Sequence, residues 1–263
     1  MRRTSKLLAS FHKPIPPPSH PLKKRSKNLT GNPDPNVSSS SPGSYAKMTA
    51  SRANLRATGW KDEDFLKPVI TVGSPWSNAL PCNFHIRELA DQVCDTIERH
   101  GGKPFVCGTP VISDGMTNGS DGMKYSLISR EIIADCIETF HEGYMADAVL
   151  TLGGCDKSTP AALMPIPRVD GIGVTLYGGT AMPGSCDGCT NGKGGDGLDA
   201  GVLMEAIGSY GIGHMSQQEL DRLERHALPG SGTCSAMFTA NTMSSAIEAL
   251  GMSVPGSSSR PAL

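Results

Sequence analysis

Apolar positions recur at helical spacing in one stretch of this chain after another. Ile86, Leu89, Ala90, Val93 and Ile97 follow one helical face, and the run stops at Gly101 and Gly102, which predicts a helix over 84–100. Ser129 is placed to cap a second helix that buries Ile132, Ile133, Cys136, Ile137 and Phe140 and ends at Gly143. The near-continuous apolar run 148–152 reads instead as a short buried strand. It leads straight into Gly153, Gly154, Cys155, Asp156 and Lys157, with Pro160 set to begin a helix. Residues 172–177 form another strand pattern, halted by Gly178 and Gly179. Helices are predicted over 199–210 and 216–227, the latter announced by Ser216 and Glu219 as a capping box, and a last one over 235–250 stops at Gly251. Strands alternating with helices predict an α/β fold, a three-layer α/β/α sandwich whose parallel or mixed sheet is covered on both faces. Its functional edge should lie at the carboxyl ends of the strands.

The first 50 residues lack any such pattern. They are rich in Pro, Ser and Lys and cannot supply a core, so the folded domain is expected over 51–263. Charge is distributed unevenly too. Eight of the 24 Lys and Arg fall in residues 1–33 and none of the 25 acids does, which leaves the rest of the chain at −9. A basic, Ser-containing, acid-free start without an apolar core segment has the composition of a mitochondrial transit peptide rather than a secretory signal. The alternative is a disordered basic tail on a cytoplasmic protein. The acidic body offers no footprint for nucleic acid, and no stretch of roughly eighteen apolar residues predicts a membrane span. A chain of 263 residues can bury a sizeable core, so its eight cysteines are not needed as disulfide staples.

Three of those cysteines stand among small, turn-forming residues: Cys82 after Pro81, Cys155 after Gly153 and Gly154, and Cys234 after Gly230, Ser231, Gly232 and Thr233. Each lies at a strand end or before a helix, where free backbone N–H groups favour a thiolate. Their spacing is too wide for a zinc finger and requires the fold to gather them. Three thiolates without a local fourth fit an iron–sulfur cluster with an open iron; inert core cysteines are the other reading. Asp114 and Asp156, in Gly-rich turns, are hard oxygen donors suited to Mg²⁺, or else turn and cap residues. Cys186 and Cys189 make one Cys-x-x-Cys pair in a Gly-rich loop, which is half a zinc site, a redox pair or a surface loop. Cys94, Cys107 and Cys136 read as core, and the histidines show no partner pattern.

Long stretches then match one family in order: 81–83 (Pro-Cys-Asn), 113–116 (Ser-Asp-Gly-Met), 121–126 with 129–131, 153–157, 177–180, and 229–234 continuing through 239–243 to 248–252. From Pro68 onward the chain resembles the N-terminal domain of the dihydroxy-acid dehydratase family, which includes phosphogluconate dehydratase and sugar-acid dehydratases. The resemblance implies that Cys82, Cys155 and Cys234 hold an iron–sulfur cluster, two-iron (2Fe–2S) rather than four-iron. A four-iron cluster stays open as the alternative, because three protein thiolates can serve either. The resemblance also implies that Asp114 and Asp156 bind Mg²⁺ and that Lys157 joins them once its amine is carboxylated, since an ordinary ammonium would repel the ion. The implied reaction removes water from a 2,3-dihydroxy carboxylic acid to give a 2-keto acid, in branched-chain amino-acid biosynthesis or a related pathway. The family's serine base and a further carboxylate belong to a C-terminal barrel-like domain beyond position 263, so this chain alone is expected to be inactive, and the family suggests a homodimer. Residues 158–161 look like the sugar-acid branch, whereas 114–131 look like the branched-chain branch. Pro165 and the loop of Cys186 and Cys189 depart from the family pattern.

Overall fold

A computed structural model describes residues 22, 25–31, 46–187, 189 and 195–262; the expected leader lies largely outside them. Four strands, β1 (Val69–Ser74), β2 (Lys103–Gly108), β3 (Ala148–Gly153) and β4 (Gly173–Tyr177), form one parallel sheet in the order β2-β1-β3-β4. Parallel neighbours need crossovers, and α1 (Ile86–Arg99) and α2 (Met123–Gly143) supply them on opposite faces. The period-two alternation of the strands decides which side chains each helix meets. Ile70, Val72, Ala148, Leu150, Leu152 and Val174 pack with Ile86, Ala90, Val93 and Ile97 of α1. On the other face, Val149 packs with Ile133 and Ile137 of α2 and with Ala161. Each fully buried aliphatic side chain here stabilises the fold by about 2 kcal/mol.

The chain then adds α3 (Ser158–Leu163) after β3. A separate antiparallel hairpin of β5 (Gly184–Cys186) and β6 (Gly195–Leu198) follows, under α4 (Ala200–Gly211) and α5 (Gln217–His226). The last long helix is α6 (Thr239–Ala249). No helix among the described residues is long and apolar enough to cross a membrane.

Several local expectations shift. Helix α2 begins at Met123, six residues before Ser129. Ser129 is buried inside it, its hydroxyl donating to the Ser126 carbonyl at 2.7 Å, so it back-bonds within a turn instead of capping. Helix α6 starts four residues later than expected because the segment before it is used as a loop. The strands β1 and β2 were not read from the pattern. Residues 25–31, assigned to the coreless segment, pack on the domain: Ser26 and Thr30 are fully buried, and Asp147 accepts from the Ser26 hydroxyl (2.5 Å), the Arg25 N–H (2.8 Å) and the Val69 N–H (2.8 Å).

Candidate functional site

In a parallel sheet of this order the chain leaves β1 toward β2 on one side, and β3 toward β4 on the other. The crevice at such a reversal opens beyond the carboxyl ends of β1 and β3, where ligands bind in open α/β sheets. The loop after β1 carries Cys82 and the loop after β3 carries Cys155 and Asp156. The loop after β2 carries Ser113 and Asp114, and the segment before α6 brings Cys234.

Backbone and side-chain bonds stitch these four loops together. Asn83, with no exposed surface, accepts the Cys155 N–H on Oδ1 (2.8 Å) and donates from Nδ2 to the Pro75 carbonyl (2.5 Å) and the Ser158 hydroxyl (3.3 Å). Gly154 is pressed so close that a Cβ there would lie 2.6 Å from both the Cys82 carbonyl oxygen and Asn83 Oδ1. The third loop is tied on by Gly232 N–H to the Pro81 carbonyl (3.0 Å), Thr233 N–H to Gly179 (3.0 Å) and Ala181 N–H to Thr233 (2.8 Å). Beneath it, Asn241 Oδ1 accepts from the Tyr177 and Thr233 hydroxyls, each at 3.0 Å.

The outcome is that three cysteines 73 and 79 positions apart in sequence meet in space. The Cys82 sulfur lies beside the sulfurs of both Cys155 and Cys234. Those two sulfurs, then burial, push the Cys82 thiol far up. The same contacts hold Cys155 and Cys234 below the usual thiol range, with the Asp156 N–H and the Ser113 hydroxyl also bonded to Cys155. All three are free thiols, Cys82 and Cys155 buried and Cys234 half-buried. Soft, converging, one-sided sulfur donors suit an iron–sulfur cluster and not a hard cation.

The carboxylates lie beside them. Asp114 is buried, accepts the Ser126 hydroxyl on Oδ1 at 2.5 Å and is ion-paired through Oδ2 with Lys157 Nζ. Asp156 accepts the Ala240 N–H from the first turn of α6; burial and then the charge of Asp114 raise its carboxyl above the usual range. Two acids close enough to repel and a lysine between them are a donor set that a divalent cation would relieve. The Lys157 ammonium now performs that neutralisation.

Residues 67–263 match the family described as dihydroxy-acid/6-phosphogluconate dehydratase N-terminal. The chain belongs to this family. It is 47% identical over 215 residues to dihydroxy-acid dehydratase 2 of Staphylococcus saprophyticus, covering 82% of this chain and 37% of that protein. The dihydroxy-acid dehydratase of Halorhodospira halophila is 47% identical over 210 residues, covering 80% and 36%. That of Methylibium petroleiphilum is 43% identical over 234 residues, covering 89% and 38%. The chain thus spans a little over a third of the length of the curated relatives it matches.

Within this dehydratase domain, the sequence-predicted residues Cys82, Cys155, Cys234, Asp114, Asp156 and Lys157 come to one crevice. Asn83, Ser126, Tyr177, Thr233 and Asn241, which hold them there, were not singled out for any role. All five sit inside the stretches that carry the resemblance, which was the available signal. Cys186 and Cys189 stay outside the crevice, and they are not on a surface loop: both are buried among Leu198, Ala206, Leu223 and Ala227. Cys107 is buried, and Cys94 and Cys136 are half-buried against the cores on either face of the sheet.

Proposed function

We propose that this domain is the cofactor-bearing part of a hydro-lyase that converts a 2,3-dihydroxy carboxylic acid into a 2-keto acid. One observation carries the reading: three cysteines from three separate loops converge at the sheet's reversal point, beside the Asp114–Lys157 pair and Asp156. When bound, an iron–sulfur cluster on Cys82, Cys155 and Cys234 and a Mg²⁺ ion on Asp114, Asp156 and carboxylated Lys157 would supply Lewis acidity toward the leaving C3 hydroxyl and the charge developing at the C2 side. The chain's own residues prepare that. Asn83 fixes the spacing of the Cys82 and Cys155 loops, Ser113 and the Asp156 N–H orient the Cys155 sulfur, and Ser126 fixes the face that Asp114 presents. Lys157 as an ammonium competes with a metal for Asp114 Oδ2, whereas a carbamate at Nζ turns it from competitor into oxygen donor. The fall of charge from +1 to −1 at that side chain is the switch from a cation-excluding to a cation-binding site. The proton leaving C2 is assigned to a serine of a second domain, so the activity requires that domain.

The branched-chain substrate class is favoured by the names of the relatives, and residues 158–161 keep a sugar acid as the alternative. The test joins this chain to the remaining part of the S. saprophyticus relative, loads it anaerobically with iron, sulfide and Mg²⁺, and follows 2-keto acid release. Turnover of 2,3-dihydroxy-3-methylbutanoate and not of an aldonate is expected. Turnover of an aldonate alone would move it to the sugar-acid branch, and none of either at full cluster occupancy would overturn the reading. The acid-free residues 1–33 support a mitochondrial leader, which a fusion of residues 1–50 to a fluorescent protein would test.

A further inference from the structure

The β5–β6 hairpin with α4 and α5 has a small core of its own, and it contains chemistry that the dehydratase reading does not use. Cys186 and Cys189, 6% and 5% exposed, are joined as a disulfide there. His226, exposed on the last turn of α5, brings a ring nitrogen to them, so that this atom and the two sulfurs all lie within 4.8 Å of one another. We propose that in the dithiol state Cys186, Cys189 and His226 form a zinc site, and that the disulfide is its metal-free state.

Four observations support this. First, a tetrahedral zinc with Zn–S of about 2.3 Å and Zn–N of about 2.0–2.1 Å places its ligand atoms roughly 3.5–4 Å apart; the His226 nitrogen already lies within 4.8 Å of both sulfurs, and breaking the disulfide frees the two sulfurs to part to that spacing. Second, His226 Nδ1 lies 2.7 Å from the Arg222 carbonyl. A carbonyl only accepts, so Nδ1 carries the proton and Nε2 holds the lone pair; metal-bound histidines commonly donate their other N–H in this way. Third, the strand bearing Cys186 cannot drift from the helix bearing His226: Gly184 is packed so tightly on the His226 carbonyl that a Cβ there would collide with it. Fourth, two thiolates and an imidazole are soft and borderline donors, which select zinc over Mg²⁺ or Ca²⁺. The two-residue spacing of the cysteines, with the Cys189 N–H turned onto the Cys186 carbonyl at 3.3 Å, presents both sulfurs from one turn. Three protein ligands leave a fourth position for water or another ligand.

The chemistry balances. A phosphine reductant takes the oxygen of one water and becomes a phosphine oxide; its two electrons and the water's two protons break the S–S bond into two thiols. Zinc then displaces both thiol protons to solvent. The experiment reduces the whole chain with such a phosphine under argon, counts free thiols, equilibrates it with zinc and measures bound metal. One equivalent of zinc should be lost in Cys186→Ser and in Cys189→Ser, and bound at least about tenfold more weakly in His226→Ala, while Cys155→Ser keeps it. The oxidised protein should lack that equivalent. Because His226 is exposed, His226→Ala tests the site even where the buried cysteine variants unfold. Zinc content unchanged in Cys186→Ser, unchanged affinity in His226→Ala, or no zinc on the reduced parent beyond what Cys155→Ser also loses would each overturn the proposal.

Discussion

Replacing Asn83 with alanine tests how the crevice is held together. The side chain has no exposed surface and clamps two loops, accepting the Cys155 N–H at 2.8 Å and donating to the Pro75 carbonyl at 2.5 Å. Its third partner, the Ser158 hydroxyl, keeps contacts with the Gly154 N–H (3.3 Å) and the Cys155 carbonyl (3.1 Å) and is not orphaned. Two buried backbone groups therefore lose the one side-chain partner they have among the described residues, at about 1–3 kcal/mol each, and part of that is recovered by relaxation or a water entering the gap. The net loss is about 3 kcal/mol, or roughly 6–12 °C in melting temperature for a domain of about 200 residues. Scanning calorimetry of the cofactor-free chain measures this. The Cys155 loop should also lose its register to Cys82, so that iron taken up on anaerobic reconstitution falls well below that of the parent. A variant that melts within about 2 °C of the parent and takes up iron normally would refute the clamp.

Other outcomes follow from the same geometry. Gly154→Ala places a Cβ 2.6 Å from the Cys82 carbonyl and should cost about 1–3 kcal/mol in urea unfolding while lowering iron uptake. Ser126→Ala removes the hydroxyl on Asp114 and should cost about 1–2 kcal/mol and weaken Mg²⁺ binding, read by titration calorimetry on the reconstituted protein. His141 is buried, with Nδ1–H on the Thr71 hydroxyl (3.1 Å) and Nε2 accepting from Arg25 (3.0 Å); burial and then the Arg25 charge push its pKa down from 6.5 to about 4. The native state therefore refuses a proton that the unfolded chain takes. Stability should be full above pH 6.5 and fall as the pH drops toward 4, by about 2 kcal/mol after discounting for the half-exposed Arg25, and His141→Gln should flatten that slope.

What the sequence revealed and what it hid have physical causes. The helix at 84–100 and the strand at 148–152 were legible because their partners impose period 3.6 on one and continuous burial on the other. Strand β2 was hidden because it lies at one edge of the sheet, where Pro104 is tolerated and Val106 lies exposed, so its short apolar run 104–107 shows no alternation. Ser129 misled because a serine that bonds back to the preceding turn has the same sequence as one that caps. At the site, Cys82, Cys155 and Cys234 were picked out by their turn-forming neighbours, but only the β2-β1-β3-β4 order explains why they meet. The His226 pairing with Cys186 and Cys189 was invisible, since it depends on α5 folding back over β5 across some forty residues.

The most direct test of the central claim is an iron and acid-labile sulfide assay, with absorption spectroscopy, on the anaerobically reconstituted chain and its Cys82→Ser, Cys155→Ser and Cys234→Ser variants. The account predicts iron and sulfide on the parent and loss of the cluster absorption in each of the three variants. A parent that takes up neither iron nor sulfide, or three variants that all retain the parent's content and spectrum, would contradict it.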